Sequence, residues 1–573
     1  MRQRVVMAGV GAAAGLCFYL LGKIIDADWF SHHTILALAV FAGVFFTGLL
    51  TMAGPISNRQ AALSSAVLAA LIAALVSLAG LRFADVDGLV SEPIAAMSGF
   101  ILGSLPLPFI IAYFGPGWRN YPALFTQAWS IFVRSSVAWA FVGVVWGVIY
   151  LSGALFNIVG LTLIDDLLNV PVMPWLITGA TLGLGMAVVM ELADLVSPYL
   201  VLRLLRLLVP VVLVVMVVFT TALPFKGLSG LFGGLSVAGV LLVMAGAAAT
   251  LVTAAIDQSD DLATEAGWMR RATQGLAVVM AVPALLAAWS VWLRVAQYGW
   301  TPDRLFAATA GLVGLAYGAL YVGAVVTGAG WMGRIRRANT FMAVSLIGMA
   351  VLWLTPLLNP EAISAHSQMA RYLDGRTKAA ALDLYAFSQW GVAGVRAKAL
   401  LQDLAAAGDT WLAARLAQFK SGDTSLPLED PAPVLADLVA VMPLQPTGAV
   451  ATRDLLLAGA SADQLRQWML PCQTKMTEDA PGCVMVVADF LTDHPGEEAM
   501  IIGYQPDGWL RYDGLTMDAG VLRLHSVWSQ ATTTLKDKDY MAMIIDLQHA
   551  PPPMAPVPLN QIDTGQGMLF FQP

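Results

Sequence analysis

The sequence predicts an α-helical polytopic membrane protein, with about 11 transmembrane helices followed by a C-terminal soluble α+β domain. Of its 573 residues, 58% are hydrophobic and 12% are charged, whereas a soluble domain carries about 25% charged residues. Apolar runs of about 20 residues, enough to cross the hydrocarbon core of a bilayer, recur throughout residues 1–358. Residues 359–573 are more polar and lack such runs.

The apolar runs predict helices, because a chain inside a bilayer must satisfy its own backbone hydrogen bonds. A transmembrane β-barrel would need alternating strands, and runs such as 211–219 do not alternate. The first run is longer than the apolar region of a signal peptide and shows no small-residue cleavage site, so we interpret it as a retained span. The predicted spans are residues 5–25, 34–54, 61–81, 94–114, 136–158, 173–192, 208–224, 236–256, 275–293, 305–329 and 341–358.

The distribution of basic residues predicts the orientation, because cytoplasmic loops are enriched in Lys and Arg. With the N-terminus inside, the inner loops hold Arg2, Arg4, Arg59, Arg119, Arg203, Arg206, Arg270, Arg271, Arg334, Arg336 and Arg337. The outer loops hold only Lys23, Arg82, Lys226, Arg294 and Arg304. We therefore expect a cytoplasmic N-terminus and, since the span number is odd, a C-terminal domain outside the cytoplasm. The net charge of −7 does not favour nucleic acid as a partner.

Two cysteines predict a disulfide in the C-terminal domain. Cys472 and Cys483 lie in a polar stretch, whereas Cys17 lies in the first predicted span. A cysteine pair in an exported domain suggests a disulfide, which would contribute roughly 3 kcal/mol in the chain-entropy model. The alternatives are two unpaired thiols in a cytosolic domain, or a metal site, for which a matching histidine pair is missing.

The C-terminal domain, residues 359–573, reads as a helical part over 362–470, a strand-rich part over 483–550 and a proline-rich tail that we expect to be extended. The strands are predicted at 484–487, 499–502, 509–512 and 521–524, with a hairpin turn at Asp507-Gly508.

Charged residues in or beside spans five to seven are the strongest candidates for a membrane site. Placing such a side chain at the bilayer centre costs about 2.5–3.5 kcal/mol on insertion scales. One interpretation is a buried charge cluster that lines an ion or substrate path. The other, which we favour, is an interfacial elbow at Pro198, where the arginines reach the lipid headgroups. The candidate residues are Arg134, Glu191, Asp194, Arg203 and Arg206.

A loop between spans nine and ten combines aromatic, turn and charged residues. Trp and Tyr prefer the membrane interface, so an anchoring role would need no ligand. The alternative is a docking loop for a periplasmic partner or for the protein's own C-terminal domain. Its candidate residues are Tyr298, Trp300, Asp303 and Arg304.

Glycines recur on two of the predicted spans, at spacings that let helix backbones approach closely. We expect tight helix packing there; a hinge or the thin wall of a conduit is the alternative. The glycines are Gly179, Gly183 and Gly185, then Gly311, Gly314 and Gly318.

No catalytic signature accompanies these features. The sequence contains no phosphate-binding loop, no Gly-x-Ser-x-Gly motif and no histidine pair with metal-ligand spacing on a helix. We therefore predict no cofactor, no metal and no catalytic residue, and an enzyme is the less favoured interpretation, although a triad can still assemble from distant residues.

Three segments resemble a bacterial multi-pass family described only as a domain of unknown function. The most specific is VWLRVAQYGWTPDR, residues 291–304; ALPFKGL at 222–228 and SAHSQMARYLDGR at 364–376 are also similar. The resemblance covers roughly residues 200–420 well and the first 200 loosely. It implies an inner-membrane protein and supplies no activity or catalytic residues.

Some members of that family carry a calcium-loop-like segment near the C-terminus. The corresponding stretch here keeps oxygen ligands only at Asp489, Asp493, Glu497 and Glu498. Calcium takes about six to eight oxygens, so we interpret the stretch as a degenerate turn between two strands.

These observations favour a non-enzymatic envelope protein whose outer domain binds a partner or senses the periplasm. A lipid bilayer and a periplasmic or envelope protein are the expected partners. The alternative is a transporter or lipid-handling conduit that uses the charges near spans five to seven.

Overall fold

The computed structural model describes residues 2–27, 29–191, 198–226, 236–421, 431–476, 480–491, 496–505, 509–518, 520–527, 537–549, 554, 561–563 and 568–570. The chain divides into two compact units. Unit 1 comprises Met1–Arg376 and Asp383–Ala399, and unit 2 comprises Thr377–Leu382 and Leu400–Pro573.

Unit 1 is helical. Its helices are α1 (Arg2–Asp26), α2 (His32–Met52), α3 (Asn58–Gly80), α4 (Val86–Ser91), α5 (Pro93–Ser104), α6 (Pro106–Tyr113), α7 (Tyr121–Ile158), α8 (Leu163–Leu168), α9 (Met173–Glu191), α10 (Pro198–Lys226), α11 (Val237–Ile256), α12 (Gly267–Val279), α13 (Ala281–Tyr298), α14 (Pro302–Val326), α15 (Trp331–Leu354), α16 (Pro360–Leu373), α17 (Leu384–Gln389) and the start of α18 (Gly391–Ala406).

Eleven segments of the described chain are long and apolar enough to span a membrane, which confirms the predicted fold class and number of spans. Nine are single helices, and two are helix pairs, α5–α6 and α12–α13. The breaks follow from Pro106 and Pro283, since proline lacks an N–H and clashes with the preceding helical turn. The fifth span differs from the prediction, because α7 begins at Tyr121 and includes the stretch before residue 136.

Polar residues at the helix starts explain where the spans begin. The Ser57 side chain accepts from the backbone of Gln60 and forms a capping box at the start of α3. Asn120, Thr301 and Asn359 cap α7, α14 and α16 in the same way, each bonding the backbone three residues on.

Glycines allow α1 and α9 to pack backbone against backbone, as predicted for Gly179 and Gly183. A Cβ at Gly179 would lie 2.1 Å from the carbonyl oxygen of Gly11, and one at Gly183 would lie 2.1 Å from that of Met7. In α14, Gly311 and Gly318 face α13 closely. Small residues therefore set these helix–helix distances.

Unit 2 contains a five-stranded sheet between helices. Its strands are β1 (Leu444–Gln445), β2 (Cys483–Ala488), β3 (Glu498–Tyr504), β4 (Leu510–Asp518) and β5 (Val521–Ser526) in spatial order β1-β2-β3-β4-β5. β1 and β2 are parallel, and the other pairs are antiparallel. The remaining elements are the end of α18, a 3₁₀ turn (Ala379–Ala381), α19 (Thr410–Ser421), α20 (Ala432–Val441), α21 (Val450–Ala458), α22 (Ala462–Gln473), α23 (Asp537–His549), β6 (Gln561–Asp563) and β7 (Met568–Phe570).

Both faces of strand β2 are buried, whereas β5 at the edge of the sheet is largely exposed. Met485 and Val487 of β2 pack with Leu465 and Trp468 of α22, whereas Val484 and Val486 pack with Ile544 of α23. The strands predicted at 484–487, 499–502 and 521–524 lie within β2, β3 and β5, and the one predicted at 509–512 begins one residue before β4. The predicted Asp507-Gly508 turn and nearly all of the proline-rich tail lie outside the described residues.

The described helices of unit 1 extend past residue 359. Helix α16 belongs to unit 1, because its polar side chains bond a loop between two spans, as described below.

Candidate functional site

The structure describes four of the five charged residues predicted near spans five to seven, and three of these, Glu191, Arg134 and Arg206, bond different neighbours. Glu191 pairs with Arg4 of α1, whose Nε donates to its Oε2 over 2.7 Å. Nε of Arg134 donates to the carbonyl oxygen of Ser130, 3.1 Å away, and Arg203 is exposed. Asp194 lies outside the described residues.

Arg206 belongs to a different group, the Asp257 cluster, formed by Arg206, Asp257, Asp260 and Arg336. Asp257 is 1% exposed and forms an ion pair with the guanidinium of Arg206. Nε of Arg336 donates to the carbonyl oxygen of Asp257 over 3.0 Å, and its Nη1 donates to Oδ1 of Asp260 over 2.6 Å. The cluster thus binds α10 and α15 to the end of α11.

Both arginines of the cluster also donate hydrogen bonds to backbone carbonyl oxygens. Arg206 donates to the carbonyl oxygens of Ala254 and Leu262 over 2.9 and 3.1 Å. Arg336 donates to that of Ile256 over 2.6 Å. These carbonyls lie at the end of α11 or just beyond it, where a helix has unsatisfied acceptors and a negative dipole end that favours cations.

Asp257 also adopts a backbone conformation that side chains avoid. Its φ is 54° and its ψ is −166° at the C-terminus of α11. Such a conformation costs on the order of 1–3 kcal/mol and persists only where surrounding contacts impose it. Here the two arginines supply those contacts.

A network of neutral polar side chains continues from the cluster into the helices. The hydroxyl of Tyr321 donates to Oδ1 of Asn339 over 2.6 Å and lies 3.0 Å from Oγ1 of Thr253. Nδ2 of Asn339 donates to the hydroxyl of Tyr121 over 3.3 Å. The network connects α7, α11, α14 and α15, and its members satisfy one another, as buried polar groups must.

The ion pairs and hydrogen bonds of this cluster hold helices together. The two arginines and two aspartates balance in charge. Among the described residues, no group of three or more His, Cys, Asp or Glu side chains is placed to hold a metal. The sequence alone did not identify Asp257 and Arg336 as members of one cluster with Arg206. The signal available for them was the group of acidic residues in a short loop on the same side as the arginine-rich loops.

The predicted docking loop, residues 297–304, contacts helix α16 of the same unit. Nε2 of Gln368 donates to the carbonyl oxygens of Tyr298 and Trp300 over 2.9 and 3.0 Å. The backbone N–H of Trp300 donates to Oγ of Ser367 over 3.1 Å, and Arg371 donates to the carbonyl oxygens of residues 296 and 297. We call this contact the loop–helix junction.

The remaining loop residues hold the turn itself. Nη1 of Arg304 donates to the carbonyl oxygen of Gly299 over 2.8 Å. Gly299 has a φ of 77°, and a Cβ there would lie 2.6 Å from Cδ of Arg371, so this position requires glycine. Tyr298 is 52% exposed, and Asp303 is exposed in the first turn of α14.

Beside this junction, Arg82 connects the α3–α4 segment to the chain that follows α15. It donates to the carbonyl oxygens of Trp353 and Thr355 over 2.8 and 2.6 Å, and its Nη1 lies 3.5 Å from Oε2 of Glu361. Burial raises the pKa of Glu361, although Arg82 opposes this rise.

Glu92 is an unpaired acid in the same region. Its Oε2 is buried and, among the described residues, has no hydrogen-bond partner. Burial, together with the carboxylates of Glu361 and Asp303, raises the pKa of Glu92 to about 7 from 4.5. Between these values the folded protein binds more protons than the unfolded chain, so Glu92 makes stability fall as the pH rises through this window.

In unit 2, the predicted disulfide between Cys472 of α22 and Cys483 of β2 is present, with a Cα–Cα distance of 4.7 Å. In the stretch compared with a calcium loop, Oε2 of Glu498 accepts the backbone N–H groups of Phe490 and Leu491 over 2.7 and 3.0 Å. Asp493 lies outside the described residues. The Glu498 side chain therefore binds the backbone of residues 490 and 491 to the start of β3.

Comparison with known families adds one finding. The family model for the domain of unknown function DUF4153 matches residues 8–400, which extends the resemblance through the first 200 residues. The match ends within one residue of unit 1, whose last residue is Ala399. No curated protein and no solved structure matches the chain.

Proposed function

This chain belongs to the DUF4153 family, and on that premise we propose that it is a non-enzymatic bacterial inner-membrane protein whose unit 2 binds a partner in the periplasm. The observation that carries the proposal is the disulfide between Cys472 and Cys483. Disulfides persist in oxidising compartments such as the periplasm and are rare in the cytosol.

The basic residues support this orientation. Arg206 and Arg336 meet at the loop after α11, and the other arginine-rich loops lie on the same side when successive spans alternate. With that side cytoplasmic, as the positive-inside rule expects, the odd number of spans in the described chain favours a periplasmic position for the chain after α15.

The architecture of unit 2 supports a binding role. It has a core on each face of its sheet, more than a simple membrane anchor needs. We place the partner surface on unit 2, because much of the polar backbone of the loop at 297–304 is already bonded to α16.

A transport path through the predicted charge cluster receives less support. Glu191, Arg134 and Arg206 each bond a different neighbour. The first two do not join the Asp257 cluster, which is balanced in charge.

Truncation tests the proposal. A chain that ends after Ala406 keeps α18 whole and retains the loop–helix junction while removing nearly all of unit 2. We expect it to reach the membrane at the level of the full chain and to reproduce the phenotype of a strain that lacks the protein. Full complementation by this truncated chain would refute the proposal. A chain that ends at residue 359 is the contrasting variant, because loss of α16 should lower the amount of folded unit 1.

A further inference from the structure

Two adjoining cavities lie on unit 1, at the end of the helices that carries the arginine-rich loops. The first, the basic cavity, has a volume of about 540 Å³ and lies between the start of α7 and α15. Its lining includes Trp118, Arg119, Gln258, Arg337 and Phe341. The volume is within the range of about 300–1,000 Å³ that ligand sites occupy.

The second, the apolar cavity, has a volume of about 620 Å³ and runs between α3, α6 and α15. Its lining includes Leu63, Val67, Ile110 and Ile347. Trp118 lines both cavities, so a basic compartment opens beside an apolar one that follows the spans.

Two of the three arginines that line the basic cavity form no ion pair among the described residues. Arg119 and Arg337 are exposed, and no carboxylate within the described part of the chain forms an ion pair with either. Arg119 instead stacks on the ring of Trp118, 4.7 Å from its centre. The third arginine of the lining, Arg336, differs from these two because it is bonded to Asp260 and two carbonyls.

We propose that the two cavities bind one anionic glycerophospholipid, with its phosphate between Arg119 and Arg337 and its acyl chains in the apolar cavity. Guanidinium groups bind phosphate through charge-assisted hydrogen bonds. Basic pockets between transmembrane helices are suited to anionic headgroups, and tryptophan is favoured at headgroup level. A free phosphate ion would contact the arginines but would not fill the apolar cavity, whereas a phospholipid would occupy both.

This site lies in unit 1 and does not depend on the proposed function of unit 2. It also explains why, in the described part of the chain, Arg119 and Arg337 have no carboxylate partner although they lie beside a cluster of paired arginines. Each arginine near an anionic headgroup contributes about 1 kcal/mol. Loss of both should weaken lipid binding about thirtyfold, which is about 2 kcal/mol at 1.4 kcal/mol per tenfold change.

The test uses the full chain, purified in a neutral detergent. Thermal unfolding is followed with added phosphatidylglycerol, with phosphatidylcholine of the same acyl chains, with the deacylated headgroup glycerophosphoglycerol, and with inorganic phosphate. Phosphatidylglycerol should raise the melting temperature more than the other three. Native mass spectrometry should show one retained copy of it.

The variant Arg119→Gln/Arg337→Gln should lose this preference. The control Arg270→Gln/Arg271→Gln removes two exposed arginines from the same side that line neither cavity, and it should keep the preference. Equal stabilisation by inorganic phosphate, equal effects in the two double variants, or no preference over phosphatidylcholine would each overturn the proposal. If the test variant does not fold, phosphatidylglycerol retention in the single variant Arg337→Gln decides the question.

Discussion

The contact between α1 and α9 allows a sharp test of the packing in unit 1 with the substitution Gly11→Ala. A Cβ at Gly11 would lie 2.0 Å from the carbonyl oxygen of Gly179 and 2.8 Å from its carbon. Carbon–oxygen contacts between packed backbones lie at about 3.3–3.6 Å, so the helices would have to separate locally by more than 1 Å.

The cost follows from what surrounds the new methyl group. Overpacking in a well-packed core costs about 1–3 kcal/mol, and the upper part of that range applies because the opposing atoms are backbone and cannot change rotamer. Replacing glycine by alanine in a helix otherwise stabilises the folded protein by about 0.5–1 kcal/mol. We expect a net loss of about 2 kcal/mol in the free energy of unfolding. At Gly9, where a Cβ would meet nothing within 4 Å, the same change should be neutral or slightly stabilising.

The assay is unfolding of the purified protein by sodium dodecyl sulfate in mixed micelles, followed by circular dichroism. Gly11→Ala should shift the midpoint to lower denaturant, and Gly9→Ala should not. Gly11→Ala combined with Gly179→Ala should cost less than the sum of the single changes, because one separation of the helices accommodates both methyl groups. Equal midpoints for the Gly9 and Gly11 variants would refute the close approach of these helices.

Three further predictions concern charges and the disulfide. Asp257→Asn should lower the free energy of unfolding by about 3–5 kcal/mol in the same assay, because it leaves buried arginine charge unpaired; an equal effect of Asp261→Asn, at an exposed aspartate of the same loop, would contradict this. Glu92→Gln should flatten the decline in stability between pH 4.5 and about 7 and stabilise the protein above pH 7 by roughly 1 kcal/mol after allowance for solvent screening; an unchanged pH profile would exclude a buried, ionising Glu92. Cys472→Ser with Cys483→Ser should destabilise unit 2 by about 2–5 kcal/mol, measured as faster proteolysis of that unit; unchanged proteolysis would show that the bond is dispensable.

The span number, the strands of unit 2 and the disulfide could be predicted because each leaves a local pattern. A long apolar run marks a spanning helix wherever it packs, and a short apolar run bounded by turn residues is typical of a buried strand. Both cysteines lie close in sequence, so few alternatives compete. The start of α7 was misplaced because residues 121–135 contain polar groups that are satisfied only by tertiary contacts, such as Tyr121 with Asn339.

The candidate site was less predictable because its partners are distant in sequence. Arg336 and Asp257 lie 79 residues apart, and a single sequence gives the charges without the pairing. The same limit applies to the domain boundary. The segments at 291–304 and 364–376, both of which resemble the family, contact each other at the loop–helix junction, and this contact assigns α16 to unit 1.

The orientation of unit 2 is the central claim, and the reactivity of Cys472 and Cys483 in intact cells tests it most directly. Cells that express a Cys17→Ser variant are treated with a membrane-impermeant maleimide, with and without an impermeant reductant. The account predicts that both cysteines are labelled in intact cells only after reduction. Labelling that requires lysis and then needs no reductant would place unit 2 in the cytoplasm with free thiols, and it would contradict the proposed periplasmic function.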